Sequence, residues 1–492
     1  MGTCRNRNQN RENPRGGESP VNEQRGSEAV ESRHSVSHGK RHDVDMTEGN
    51  VFRLLFQFAL PLLAGNIFQQ LYNMVDTWVV GNYVSNEAFS AVGTVTPIIN
   101  MLIGAFLGLS SGAGVVISHY YGAKDYDRVR DTVHTAIALT VLLTAVFTAL
   151  GIGMTPTMLR LMKTPEEVFG QSSAYLTIYF AGMAGLLFYN MGAGILRAVG
   201  DSRRPFYYLV AAAVVNTVLD LVFVIVFRMG VRGVACATII AQAISASLTI
   251  ITLLRTGSCV RLEVRRIRLN MGILKQIIRV GIPAALQMAV TSFSNVFVQS
   301  YINQFGANCM GGWTAYTKVD QLIFLPMQSL ALAATTFVGQ NLGMGQTERA
   351  EKGVRTSLAM SMAVTLVVSA AVMLSAPYLV AFFNDKAEVV AFGTMFLRHL
   401  TPFYLVCCVN QIYSGALRGA GNSRAPMLMM LGSFVLFRQC YLYIVSHFIS
   451  NTILPLAMGY PAGWVLCSVL TLTYYHHVRL KGPSLAGKNR EP

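Results

Sequence analysis

Apolar positions fill this chain in long runs separated by short polar connections. Residues 89–118 and 133–159 contain no Asp, Glu, Lys or Arg. Each run exceeds the roughly 20 residues an α-helix needs to cross a bilayer, and buried helices of soluble proteins seldom run that long. The pattern predicts an all-α integral membrane protein of about twelve transmembrane helices. They fall over 54–79, 88–118, 132–156, 170–197, 205–228, 232–254, 277–303, 311–341, 353–378, 392–417, 425–447 and 451–475, and all present mainly Leu, Ile, Val, Phe and Ala.

Composition agrees: 52% of the 492 residues are hydrophobic and 13% are charged, against about 25% charged in a soluble domain. The net charge of +15 is mostly a topology signal. Lys124, Arg128, Arg130, Arg197, Arg203, Arg204, Arg261, Arg265, Arg266, Arg268, Arg349, Lys352, Arg418 and Arg424 fall in one set of connections. The opposite set holds Arg160, Lys163, Arg228, Arg232 and Lys386. Basic loops stay inside, so both termini are expected in the cytoplasm and the chain in the plasma (inner) membrane, as a multi-pass protein of bacterial type. No basic patch interleaves with aromatics, so nucleic acid is not an expected partner. Residues 1–45 are polar and poor in large apolar groups, which predicts a disordered tail. Met46 is a plausible alternative start. The eight cysteines form no CxxC pair, so packing is their expected role.

The chain repeats itself. Leu196-Arg-Ala-Val-Gly-Asp-Ser-Arg-Arg-Pro205 returns as Leu417-Arg-Gly-Ala-Gly-Asn-Ser-Arg-Ala-Pro426, an offset of 221. Gly122, Arg128, Val133 and Thr135 match Gly343, Arg349, Val354 and Thr356 at that offset. The halves are 46–260 and 277–478, joined by a basic linker at 261–276 and followed by a tail at 479–492. An offset of six spans keeps the repeats parallel. Two six-helix lobes related by a pseudo-two-fold axis along the membrane normal are expected, around a central cleft.

Charged side chains at membrane depth are costly, at least about 2.5–3.5 kcal/mol on insertion scales, so each is informative. Gln69, Tyr72, Asn73 and Asp76 share one face of the first span by i, i+3, i+4, i+7 spacing. Asn216 and Asp220 lie one turn apart on the fifth. Thr238, Gln242 and Ser245 share a face of the sixth, and Asn190 lies on the fourth. Two carboxylates in a low dielectric cannot both ionise cheaply. They would share a proton or hold a hard cation such as Na+, which prefers oxygen ligands. The alternative is that the polar groups satisfy one another as interhelical hydrogen bonds. The second half repeats the scaffold without the carboxylates: Val298, Phe437 and Tyr441 stand at the positions of Asp76, Asn216 and Asp220. It keeps Asn295 and adds Asp320 and Arg438. A local ion pair with Lys318, or snorkelling, is the expectation for Asp320.

These residues resemble the multidrug and toxin extrusion (MATE) family. The resemblance rests on Pro61 followed fifteen residues later by Asp76-Thr, Gly-Ala-Lys at 122–124, the Leu-Arg-Ala-Val-Gly-Asp-Ser-Arg-Arg-Pro loop, and Val-Gly-Gln-Asn-Leu-Gly at 338–343. It covers about 47–478. It implies a monomeric antiporter that expels small organic, often cationic, compounds against Na+ or H+ by alternating access, with no other cofactor. In the branch with a first-lobe cation site it implies coupling roles for Asp76, Asn216, Asp220 and Thr238. Substrate positions would be Gln69, Tyr72, Asn73, Asn190 and Gln242, with a bend of the first helix at Pro61. A lipid-linked precursor flippase of the same superfamily is the alternative. An enzyme is not expected, since no catalytic motif appears.

Overall fold

The computed structural model describes residues 44–84, 86–162 and 164–480; the side chains of several further residues inside helices, Asp76 among them, lie outside the description. The predicted tail at 1–45 falls almost wholly outside it. The described residues form helices at all twelve predicted positions. They are α1 (Val51–Tyr83), α2 (Asn86–Gly122), α3 (Tyr126–Leu161), α4a and α4b (Glu166–Ala181 and Met183–Ala198), α5 (Arg203–Val226) and α6 (Val231–Arg255). The second half supplies α7 (Met271–Ile302), α8 (Ala307–Gly343), α9 (Thr347–Phe383), α10 (Ala387–Gly419), α11 (Arg424–Ile449) and α12 (Ile453–Val478).

Ten of these segments are long and apolar enough to cross a membrane, and the α4a–α4b pair, bent by 47°, makes eleven. The twelfth, α7, is a 32-residue helix that includes residues whose side chains lie outside the description. Helices are the only open-chain solution here, because a bilayer offers no water to satisfy backbone N–H and C=O groups.

The repeated Gly-Asp-Ser motif is structural punctuation. Gly200 and Gly421 both sit at positive φ, +88° and +81°, where glycine escapes the Cβ penalty that ends helices. Asp201 Oδ1 then accepts from the Arg203 and Arg204 backbone N–H groups, both at 3.1 Å, capping α5. In the second copy, Asn422 Oδ1 accepts from Ala425 N–H at 3.3 Å.

Packing follows the repeat. In the first lobe α2 packs on α4b, α4b on α6, and α5 on α1 and α6; in the second α8 packs on α9 and α10, and α10 on α12. The lobes meet through α1, α2, α7 and α8, and α2–α7 is the most extensive contact between any two helices. A glycine stripe makes it possible. A Cβ at Gly108 would lie 2.3 Å from the Ala285 backbone nitrogen, and one at Gly112 would lie 2.6 Å from the Gly281 Cα. Small residues four apart let helices approach to backbone contact where no hydrophobic effect drives them together.

At the basic end the lobes interlock. The start of α1 (Val51, Leu55, Phe58, Leu62) is buried with Leu330, Phe337, Val354, Ile412 and Leu417 of the second lobe. The start of α7 (Ile273, Ile277) is buried with Val116, Ile117, Val133 and Leu196 of the first. Two crossed hydrogen bonds close this end. The ring nitrogen His119 Nε2 contacts Gly419 C=O at 2.7 Å, and Gln340 Nε2 donates to Ala198 C=O at 2.8 Å. His119 and Gln340 are partners at the 221 offset, as are Ala198 and Gly419, so the two bonds are one bond repeated. Gly122 and Gly343, also partners, let α2 and α8 cross beside them: their Cβ atoms would lie 1.9 Å from the Gln340 carbonyl oxygen and 2.1 Å from the His119 carbonyl oxygen.

Candidate functional site

Two of the cavities among the described residues bring polar side chains of several helices together. The first belongs to the first lobe and holds about 150 Å³. Its wall includes Pro61, Gln69 and Tyr72 of α1, Asn190 of α4b, Asn216 of α5, and Thr238, Gln242 and Ser245 of α6. α1 passes Pro61 without interruption, although proline removes one backbone donor there.

The chemistry of the wall is that of neutral oxygen. Thr238 spends its hydroxyl hydrogen on Val234 C=O at 2.9 Å, which leaves its oxygen lone pairs as acceptors. The Asn190 amide nitrogen donates back to Leu186 C=O at 2.8 Å, so its amide oxygen is the group it can offer. The Asn216 amide is 2% exposed, and neither its nitrogen nor its oxygen has a hydrogen-bond partner among the described residues. Buried amides are normally paired, and an orphaned one costs about 1–3 kcal/mol. An occupant of the cavity would satisfy it. Asp220, one turn on, is fully buried.

Asn73 is exposed and is not on this wall: it lies at the edge of the α1 stripe, past the face that Gln69 and Tyr72 turn inward. Asp76 lies on α1, and its side chain is outside the described residues.

The second cavity, about 540 Å³, lies between the lobes. It is lined from the first lobe by Ser110, Ser118 and Arg197 and from the second by Gln287, Asn295, Asp320, Arg418 and Arg438, with Phe324, Tyr460 and Trp464 supplying aromatic surface. Its size matches a drug-sized ligand site. Asn66, Leu107 and Arg197 line both cavities, so an occupant of one neighbours an occupant of the other.

The MatE family model matches residues 61–222 and 283–444, once in each half. The chain belongs to this family. A probable multidrug resistance protein, YpnP of Bacillus subtilis, is 29% identical over 442 residues, which cover 90% of this chain and 98% of that protein. The probable multidrug resistance protein NorM of Thermotoga maritima is 25% identical, covering 86% and 91%. A multidrug resistance MATE family transporter of the MOP superfamily, solved in an outward-facing conformation, superposes with a TM-score of 0.84 at 24% identity, covering 89% of this chain and 98% of that one. The fold is therefore the two-lobe MatE fold.

Within this MatE chain, two second-lobe expectations change. Asp320 lies well inside α8, and its partners are hydroxyls: Tyr404 donates to Oδ1, and Tyr316 reaches it at 3.5 Å. The expected pairing with Lys318 is not found among the described residues. Positions i and i+2 of a helix do not face each other, which explains why. Arg438 also gains partners. Its Nη1 donates to Asn295 Oδ1 at 3.1 Å, and its guanidinium lies over the rings of Tyr460 (4.5 Å) and Phe434 (4.9 Å). Arg438 follows a stretch of wide i→i+5 turns, Leu431–Phe437, in which Ser294 of α7 donates to the Phe434 carbonyl. Such turns are frequent at functional sites. Arg197 was counted in sequence as a loop charge; its place on both cavity walls was signalled only by its recurrence as Arg418 at the repeat offset.

Proposed function

We propose that this protein is a cation-coupled exporter of organic compounds, working by alternating access. The observation that carries this reading is the convergence of seven residues from four helices, chosen from sequence alone, on one small oxygen-lined cavity: Pro61, Gln69, Tyr72, Asn190, Asn216, Thr238 and Gln242. In this reading Asp220 and Asp76 carry the coupling charge, and Asn216 and Thr238 complete the ion's oxygen shell. Neutral oxygens beside a carboxylate suit a bare sodium ion, and a carboxylate alone suits a proton. The central cavity takes the substrate. Its shared wall, Asn66, Leu107 and Arg197, is the path by which ion and substrate sense each other. Coupling requires each ligand to bind the two end states unequally. The multidrug resistance and export names of the relatives support a substrate of drug type.

By the distribution of Lys and Arg, the clasped basic end faces the cytoplasm, and the two termini with it. The chain then has its cytoplasmic gate shut in this structure. The test is dye efflux from cells or vesicles under an imposed sodium gradient, then an imposed proton gradient. Asp220→Asn and Asp76→Asn should each lower ethidium export by tenfold or more, and the gradient that drives the wild type names the ion. Export by both variants at the wild-type rate would refute first-lobe coupling.

A further inference from the structure

Arg438 is 1% exposed, lies on the wall of the central cavity, and is held by neutral partners: the Asn295 amide oxygen and two aromatic faces. Its Nε has no hydrogen-bond partner among the described residues. A buried guanidinium is ordinarily matched by a carboxylate, because desolvating an unpaired charge is costly. Here the described ion pairs do not include Arg438. Among the described residues the cavity's charged lining is Arg197, Arg418, Arg438 and one carboxylate, Asp320. That carboxylate is occupied by the Tyr404 and Tyr316 hydroxyls, and Arg418 Nη1 reaches the Gln287 amide oxygen, at 3.4 Å. The space therefore presents three cations against one carboxylate. Phe434 and Tyr460 flank Arg438, and Phe324 and Trp464 line the same cavity, surface suited to an aromatic body.

We propose that Arg438 is a substrate-binding residue, receiving the anionic oxygen group of an amphiphilic, aromatic organic anion or zwitterion bound in the central cavity. The guanidinium on the cavity wall supplies the donors for it. Arg in this role offers directed, charge-assisted hydrogen bonds that Lys does not reproduce. The two lobes then divide the charge recognition. The first holds Asp220 beside its oxygen-lined cavity, and the second places a guanidinium on the equivalent helix. The proposal rests on the reading that the central cavity carries the substrate, and it revises the organic-cation class implied by the family resemblance.

The test is binding to the purified full-length protein in detergent, without any ion gradient. Two ligands share one ring and differ in charge: 2-naphthoate and 2-naphthylmethylammonium. Affinities are read by calorimetry. The wild type should bind the naphthoate at least tenfold more tightly. Arg438→Gln should remove that preference, and Arg438→Lys should restore part of it. Competition by 2-naphthyl phosphate and by a short-chain phosphatidate distinguishes a soluble anion from a lipid headgroup as the source of the group; the soluble phosphate should compete at the lower concentration. Equal affinities in the wild type, tighter binding of the ammonium ligand, or an unchanged preference in Arg438→Gln would each overturn the proposal. The wild-type comparison decides even if the glutamine variant fails to fold. Because no gradient is used, failure here leaves first-lobe coupling standing, and failure of the efflux test leaves this binding result standing.

Discussion

Gly122→Ala should prop open the clasped end of the transporter. The added Cβ would lie 1.9 Å from the Gln340 carbonyl oxygen and 2.6 Å from its carbonyl carbon, against roughly 3.5 Å for an ordinary contact. α2 and α8 would have to part by about 1.5 Å at that point. Gln340 sits at the centre of the clasp: it donates to Ala198 C=O at 2.8 Å and accepts from Met46 N–H at 2.9 Å. A shift of that size takes the bond to Ala198 beyond hydrogen-bond range, while Met46 stays with α8, because Asn341 and Arg349 also donate to its carbonyl oxygen. That bond to Ala198 is worth about 1 kcal/mol net, and the overpacking that remains in the closed form costs about 1–3 kcal/mol. The closed form should lose about 2–4 kcal/mol, which is roughly 30-fold to 700-fold in the open-to-closed ratio. Cys407 is a native reporter, buried on the central cavity wall. A membrane-impermeant maleimide applied to the basic face of inside-out vesicles, with labelled peptides mapped by mass spectrometry, should modify Cys407 at least tenfold faster in Gly122→Ala than in the wild type. Equal labelling rates in a folded variant would refute the claim that this crossing holds the end shut.

Other outcomes follow from the same contacts. Asn216→Ala should keep the fold, since its amide bonds nothing described, yet lower dye export at least tenfold; export at the wild-type rate in a cell assay would remove Asn216 from the site. Gly112→Val forces a branched side chain against the Gly281 Cα, 2.6 Å from where a Cβ would sit, and should cost about 1–3 kcal/mol, read as a lower melting temperature in detergent. Tyr404→Phe strips one of two hydroxyl donors from half-buried Asp320. A hydrogen bond to a charged group is worth about 1.5–3 kcal/mol, so a comparable loss of thermal stability is expected, with Tyr316→Phe milder because its bond is 3.5 Å long.

Much of this arrangement was legible in the chain. Run length located every helix, because in lipid the backbone has so few alternatives. Helical spacing put Gln69 and Tyr72 on one cavity wall with Asn216 and Thr238, since a polar residue in an apolar helix must face something other than lipid. What escaped the reading depends on contacts distant in sequence. Nothing near Arg438 announces Asn295, 143 positions away, and nothing near Asp320 announces Tyr404, 84 positions away. The pairing of Asp320 with Lys318 could have been rejected on helix geometry alone. Asn73 shows the limit of a spacing rule: one position along the stripe separates a wall residue from an exposed one. The crossed bonds of His119 and Gln340 were hidden because their acceptors are backbone carbonyls, which leave no side-chain signature.

The exchange of helix starts between the lobes bears on how the protein is made. Synthesis delivers α1 to α6 first. At that moment the start of α1 lacks its cover, because Leu330, Phe337, Val354 and Ile412 have not been translated. The cluster around Val116 and Val133 likewise waits for Ile273 and Ile277, and the glycine face of α2 waits for α7. The repeat looks like two finished modules, yet neither is complete when its own six helices have been inserted. A nascent half would leave its side of the clasp uncovered until the other half arrives, so the last folding step is also the first fastening of the clasp. Halves expressed as separate chains should accumulate together and be degraded apart.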